Sequence, residues 1–164
     1  MKESIREKAR LKLTNYLEGS DHRKTPERFA ILDAIYSLPK HFTLEELNED
    51  LVKKHFPVSR ATLYSSIRMF LELRLVVRHN FLTGTKYEAC LQNEEHCHQI
   101  CTVCSKVTEL QLPEVVNAVN QAHYHRFKKD GFSLYIYGIC SSCQAKITKR
   151  KRKEEREKNK KTKK

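Results

Sequence analysis

The sequence lacks any long apolar run. No stretch approaches the roughly 18 consecutive apolar residues of a membrane span, and the first 25 residues hold no apolar signal core, so the expected location is the cytoplasm. Acidic residues are scarce as well: 20 Asp and Glu face 32 Lys and Arg, a net charge of +12. The imbalance is local. Residues 146–164 hold 12 Lys or Arg against 3 Glu, a net +9, which leaves only +3 for residues 1–145. That terminus has almost no apolar residue to bury and reads as a basic flexible tail, mobile or a frayed helical extension. It is either a solvated, solubilising segment or one that adds salt-sensitive, non-specific contacts to DNA phosphates. Repeats are absent too, apart from one short motif that occurs twice.

That motif is Cys-x-x-Cys, at Cys101/Cys104 and Cys140/Cys143. Two paired knuckles deliver the four thiolates of a closed tetrahedral zinc site, with sulfurs about 2.3 Å from the metal. In a reducing compartment six cysteines favour metal ligation over disulfides. The rival is a thioredoxin-like redox dithiol; two motifs in one small α/β unit weigh for structural Zn2+. A closed site has no open coordination position and is not catalytic.

With 164 residues and 39% apolar content the chain builds a real core, in one domain or two small ones. Residues 3–18 read as a charged amphipathic helix ending near Gly19. Thr25 and Pro26 mark a second helix, with Phe29, Ile31, Leu32, Ile35 and Leu38 facing a core. Thr43-Leu44-Glu45-Glu46 is a capping box flanked by Phe42 and Leu47 at hydrophobic-staple spacing, and opens a third helix to about Lys54. Ser59 caps a fourth, in which Leu63, Ile67 and Phe70 face inward and Arg60, Ala61, Tyr64, Ser65 and Arg68 face out. The period then changes: residues 75–81 and 86–90 alternate as strands around Leu82-Thr83-Gly84-Thr85, a hairpin. Helices followed by a β-hairpin spell a winged helix-turn-helix over residues 1–88. Residues 89–145 read as strand, helix from Pro113 towards Tyr124, and strand, a small α/β domain whose knuckles lie at strand edges.

A winged helix takes affinity from phosphates and specificity from a helix in the major groove. Arg60, Tyr64 and Arg68 form one stripe on the fourth helix. Arg23 and Lys24 precede the second helix, where a basic arm reaches a backbone or minor groove. The competing reading is an ordinary basic surface on a fold that never touches DNA.

His96 and His98 alternate by two, which on a strand puts both imidazoles on one face. Glu88 and Glu109 are near enough in sequence to add oxygen donors, a mixed set suited to Fe2+, Mn2+ or Zn2+ with five or six ligands. Solvated surface histidines are the bland alternative.

Several of these residues together resemble the ferric uptake regulator family of metal-sensing repressors, over about residues 20–145. The carriers are Arg23-x-Thr25-x-x-Arg28 with Ile31-Leu32, then His41, Ala61-Thr62-Leu63-Tyr64 and Arg78-His79-Asn80-Phe81. The later set is His96-x-His98-x-x-Cys101-x-x-Cys104 and Tyr137-Gly138-x-Cys140-x-x-Cys143. The resemblance implies an α+β homodimer, with an N-terminal winged helix-turn-helix domain on operator DNA (an inverted repeat) and a C-terminal small α/β dimerisation domain. It implies a regulatory metal on His41, Glu88, His96, His98 and Glu109, and a transcriptional repressor sensing Fe2+, with Mn2+ or Zn2+ as alternatives. A zinc- or manganese-uptake regulator and a peroxide sensor belong to the same family; the latter subgroup tends to carry aspartate where Glu88 and Glu109 stand.

Departures from the family pattern are specific. Ser65 replaces a usual arginine after the recognition-helix tyrosine, Ser105 replaces the glycine after the first knuckle, and Glu95 and Cys97 alter the histidine cluster. Val116 and Phe132 replace ligands of an additional family site, which is absent or rebuilt from Cys97, Glu95, His123 or His125. Outside this class, a metalloenzyme using His96 and His98 is the rival, although it lacks a recognisable general base beside an open metal position.

Overall fold

The computed structural model describes residues 4–20, 23–90 and 97–161, with side chains to residue 156. Six helices and five strands are described: α1 Ile5–Glu18, α2 Pro26–Ile35, α3 Leu44–Lys53, α4 Arg60–Glu72, β1 Val76–Phe81, β2 Gly84–Ala89, β3 Cys97–Cys101, β4 Val107–Leu110, α5 Pro113–Gln121, β5 Leu134–Gly138 and α6 Ser141–Lys161. The chain divides into two compact units, residues 1–94 and 95–164.

In the first unit the helix starts are written in side-chain chemistry. Ser4 and Glu7 form a full capping box on α1, and Thr43 and Glu46 form one on α3, each satisfying two backbone N–H groups that the helix leaves without partners. Ser59 accepts from the Thr62 N–H at 3.1 Å to start α4. Thr25 occupies the cap of α2 without such a bond, and Pro26, having no N–H, removes one donor that would need it. Behind these starts the apolar faces converge. Ala9, Leu13 and Leu17 of α1, Ile31, Leu32 and Ile35 of α2, Leu47 and Leu51 of α3, and Leu63, Ile67 and Phe70 of α4 share one core. Phe42, the expected staple residue, is buried in it as well.

The wing is an antiparallel β1–β2 pair in which Phe81 faces Gly84, so the turn is Leu82-Thr83 and not the four residues expected. Gly84 has φ +116°, open to glycine and strained for other residues, and this lets the strand resume at once. One further backbone bridge joins the segment before α3 to the wing. Phe42 and Tyr87 exchange N–H···O bonds of 2.9 and 2.7 Å.

In the second unit β3 is the centre of a three-stranded sheet, antiparallel to β4 and parallel to β5. α5 ends at Gln121, short of Tyr124. The basic segment, expected to be mobile or a frayed helical extension, continues α6 as one helix over residues 146–161. Lys, Arg, Glu and Gln are good helix formers, and Arg150–Glu154 supplies an i,i+4 pair at 3.6 Å. No described helix is long and apolar enough to cross a membrane.

α1 is tied to α2 by Asp33, which accepts from Arg6 Nε at 2.9 Å and from Arg10. Partial burial pulls the Asp33 carboxyl upward, but the two arginines outweigh it and hold the group below its usual value. A carboxyl depressed in the folded state stabilises the fold above its unfolded pKa of about 4, and that contribution is lost as the pH falls through the lower folded value. Asp33→Asn should lower the melting temperature at neutral pH, and by progressively less as the pH drops below about 4. Calorimetry showing the same difference at every pH contradicts this.

Candidate metal centres and nucleic-acid interface

The two knuckles meet in the second unit. Cys101 ends β3, Cys104 lies in the turn towards β4, Cys140 follows β5 and Cys143 sits in the first turn of α6. Thr102 bonds Gly138 O through its N–H at 2.8 Å, fastening the first knuckle to the end of β5. All six cysteines are free. The four knuckle sulfurs lie within 4.8 Å of one another, and Cys104 Sγ is 3.8 Å from Cys140 Sγ. Sulfurs 2.3 Å from a tetrahedral zinc stand about 3.8 Å apart, so the donor set fits that ion. Backbone N–H groups, foremost that of Cys140 at 3.3 Å, lower the Cys101 thiol to about 6. Hydrogen bonds with Cys140 and Cys104 push Cys143 up to about 12. One thiolate is favoured and further ionisation is resisted until a cation neutralises the cluster. Ser105 lies at φ +58° in the left-handed region, which accounts for the glycine expected there, and its N–H closes the turn on Cys101 O at 2.8 Å.

A second group forms in the first unit. The Phe42–Tyr87 bridge brings His41 beside Glu88, the residue after Tyr87, and His41 Nε2 lies 3.4 Å from Glu88 Oε2. His79 on β1 reaches the same oxygen at 3.0 Å. The ligand atoms of these three residues all lie within 4.8 Å of one another. Glu88 and His79 are 5% and 3% exposed, and a buried carboxylate demands such partners. The His79 ring stacks on Phe81 with centroids 5.3 Å apart, and the His41 ring stands edge-on to both. His79 is the residue that sequence reasoning missed as a donor. The hairpin carried the signal: His79 pairs with Lys86, so Glu88 lies two residues along on the same face.

Of the other expected ligands, His98 is buried on β3, pairs in register with Glu109 of β4, and stacks on Tyr135 of β5 at 5.7 Å. Directly opposed residues on neighbouring strands share a face, so His98 and Glu109 are neighbours within that unit. Glu109 is half-buried. His96 and Glu95 lie outside the described residues. Cys97 is fully buried in β3, and His123 and His125 are exposed beyond α5. Among the described residues none of these three joins a cluster of metal-suited side chains.

α4 presents the expected outward stripe. Arg60, Tyr64, Ser65 and Arg68 are all exposed, Tyr64 at 56%, while Leu63, Ser66, Ile67, Met69 and Phe70 are buried. Ser65 Oγ donates to Thr62 O, as a helix serine does when it has no other partner. Arg68 lies 3.4 Å from Glu72, an exposed pair of little energetic weight that a phosphate can displace. Arg23 and Lys24 are exposed; Arg23 O accepts from Arg28, and Lys24 reaches Glu18 at 3.0 Å.

A model of the ferric uptake regulator family matches residues 19–137. Over 132 residues the chain is 30% identical to the ferric uptake regulation protein of Neisseria meningitidis, covering 79% of this chain and 92% of that relative. The peroxide operon regulator of Bacillus subtilis is 32% identical over 133 residues, covering 79% of this chain and 90% of its own length. Among solved structures, the ferric uptake regulator of Pseudomonas aeruginosa with manganese aligns with a TM-score of 0.65 at 25% identity, over 78% of this chain and 97% of that one. On this footing the chain belongs to the ferric uptake regulator family, whose members are metal-responsive transcriptional regulators and not enzymes.

Proposed function

We propose that this transcriptional regulator is an iron-responsive repressor, a homodimer that reads an inverted-repeat operator with α4 and keeps one zinc as a structural staple. Family membership removes the metalloenzyme reading of His96 and His98. The observation that carries the effector is Glu88, a buried carboxylate approached by two imidazoles in the unit that also presents the α4 stripe. Nitrogen and oxygen donors without thiolate suit Fe2+ and also Mn2+ or Zn2+; zinc, the softer ion, has the four cysteines to itself.

In this reading His41 and Glu88 of the first unit and His96, His98 and Glu109 of the second are the regulatory ligands. Binding at these residues favours the dimer state that spaces two recognition helices for the operator. Metal and operator then favour the same state, and each tightens binding of the other. Base-edge contacts fall to Arg60, Tyr64, Ser65 and Arg68, with Arg23 and Lys24 on the backbone.

Dimerisation is supported by the surface of the second unit. β5 is an edge strand whose Ile136 and Tyr137 are exposed, and Ile139 and Phe127 add apolar surface nearby in sequence. An uncovered apolar edge is a pairing surface. The described buried residues of this unit amount to Cys97, His98, Ile100, Cys101 and Cys143, a core too small to stand without a staple and a partner.

α6 adds a phosphate-binding rod. Lys149, Arg152, Lys153 and Arg156 recur at i, i+3, i+4 and i+7 on one face, and Glu154 and Glu155 lie off that stripe.

Three measurements test this reading. Titrated with an AT-rich inverted repeat, the protein should bind about 5- to 150-fold more tightly with Fe2+ or Mn2+ than without; affinity indifferent to metal and salt sinks the repressor. Cys140→Ser should lose the tightly held zinc and the dimer together, and retention of both overturns the staple. Removal of residues 146–164 should flatten the dependence of log affinity on log salt by about 0.9 for each phosphate that the tail neutralises. An unchanged slope leaves α6 with no part in binding DNA.

A further inference from the structure

The geometry points to His79 as a direct ligand of the regulatory metal, completing with His41 and Glu88 a three-donor face built within the first unit. The inference rests on the effector site proposed above and adds a donor outside the five positions that the family resemblance supplies.

Spacing is the first support. Around an ion with bonds of about 2.1 Å, neighbouring donors stand about 3.0 Å apart in an octahedron and about 3.4 Å in a tetrahedron. His79 Nε2 and His41 Nε2 lie 3.0 and 3.4 Å from the same Glu88 oxygen. Two of the three donor–donor separations therefore match those of one coordination face, and the ligand atoms of all three residues lie within 4.8 Å of one another.

Orientation is the second. The His79 ring lies within 4° of parallel to Phe81, and His41 stands at 84° and 85° to the two rings. Packing of this kind fixes the ring planes, and fixed planes aim Nε2. His79 and Glu88 also sit on paired strands, which hold donors more tightly than loops.

Burial is the third. His79 and Glu88 are 3% and 5% exposed, so the imidazole can donate beside the carboxylate without a solvent-side opening.

The test uses the full-length, zinc-loaded protein with Co2+ as a spectroscopic probe. His79→Gln keeps an amide donor for Glu88 but cannot replace the imidazole at a metal; it should weaken Co2+ binding at least about tenfold and alter the visible d–d bands, with bound zinc unchanged. His79→Cys should place a thiolate on the probe and produce a new sulfur-to-Co2+ charge-transfer band, which a merely structural residue cannot do. Wild-type affinity and spectrum in His79→Gln, or no new band in His79→Cys, overturns the assignment while leaving the effector site standing. A wild-type protein that takes up no Co2+ beyond the cysteine site overturns both.

Discussion

The pair of backbone hydrogen bonds between Phe42 and Tyr87 is the constraint on which the His41, His79 and Glu88 group depends. It stitches the segment ahead of α3 to the second strand of the wing, and the residues next to its two ends are His41 and Glu88. Neither side chain is held to the other by sequence proximity; they are 47 positions apart. The Phe42 ring, buried in the helical core, fixes one end. The capping box at Thr43 fixes where α3 begins, so core, cap and bridge together place one imidazole beside one carboxylate. Through the same bridge this donor group is continuous with the helical core on which α4 packs.

The two donor groups differ in chemistry and in setting. The cysteine cluster is made of soft donors at the ends of a small sheet, and its sulfurs are spaced as a closed tetrahedron. Around it the second unit buries few of its described side chains. The His41, His79 and Glu88 group uses harder donors inside a much better packed unit, whose helical core closes without help from an ion. That difference in packing favours the proposed effector at the His41, His79 and Glu88 group and the proposed structural ion at the cysteine cluster.

In α6 charge patterning works against charge density. A segment with 12 basic residues in 19 repels itself, and on that ground it reads as mobile or as a frayed helical extension. Spacing opposes the repulsion: Arg150 and Glu154 pair across one turn, and the helix starts at the second cysteine knuckle and is not nucleated in isolation. Lys149, Arg152, Lys153 and Arg156 thereby fall in one row along the helix.

The sequence by itself determined the elements and their chemistry. Two Cys-x-x-Cys motifs mark a four-thiol group suited to a metal, Ser4, Thr43 and Ser59 mark helix starts through their own hydrogen bonds, and the apolar periods assign each face, because all of these act over a few residues of chain. Only the tertiary structure decided that His79 joins His41 at Glu88, since strand register and a bridge between distant segments set that meeting. Likewise, the turn at Leu82-Thr83 waited on the conformation of Gly84, and the helical course of residues 146–161 on an anchored first turn. Short-range chemistry is written in the order of residues, whereas the convergence of donors on one oxygen atom depends on packing that the order alone does not specify.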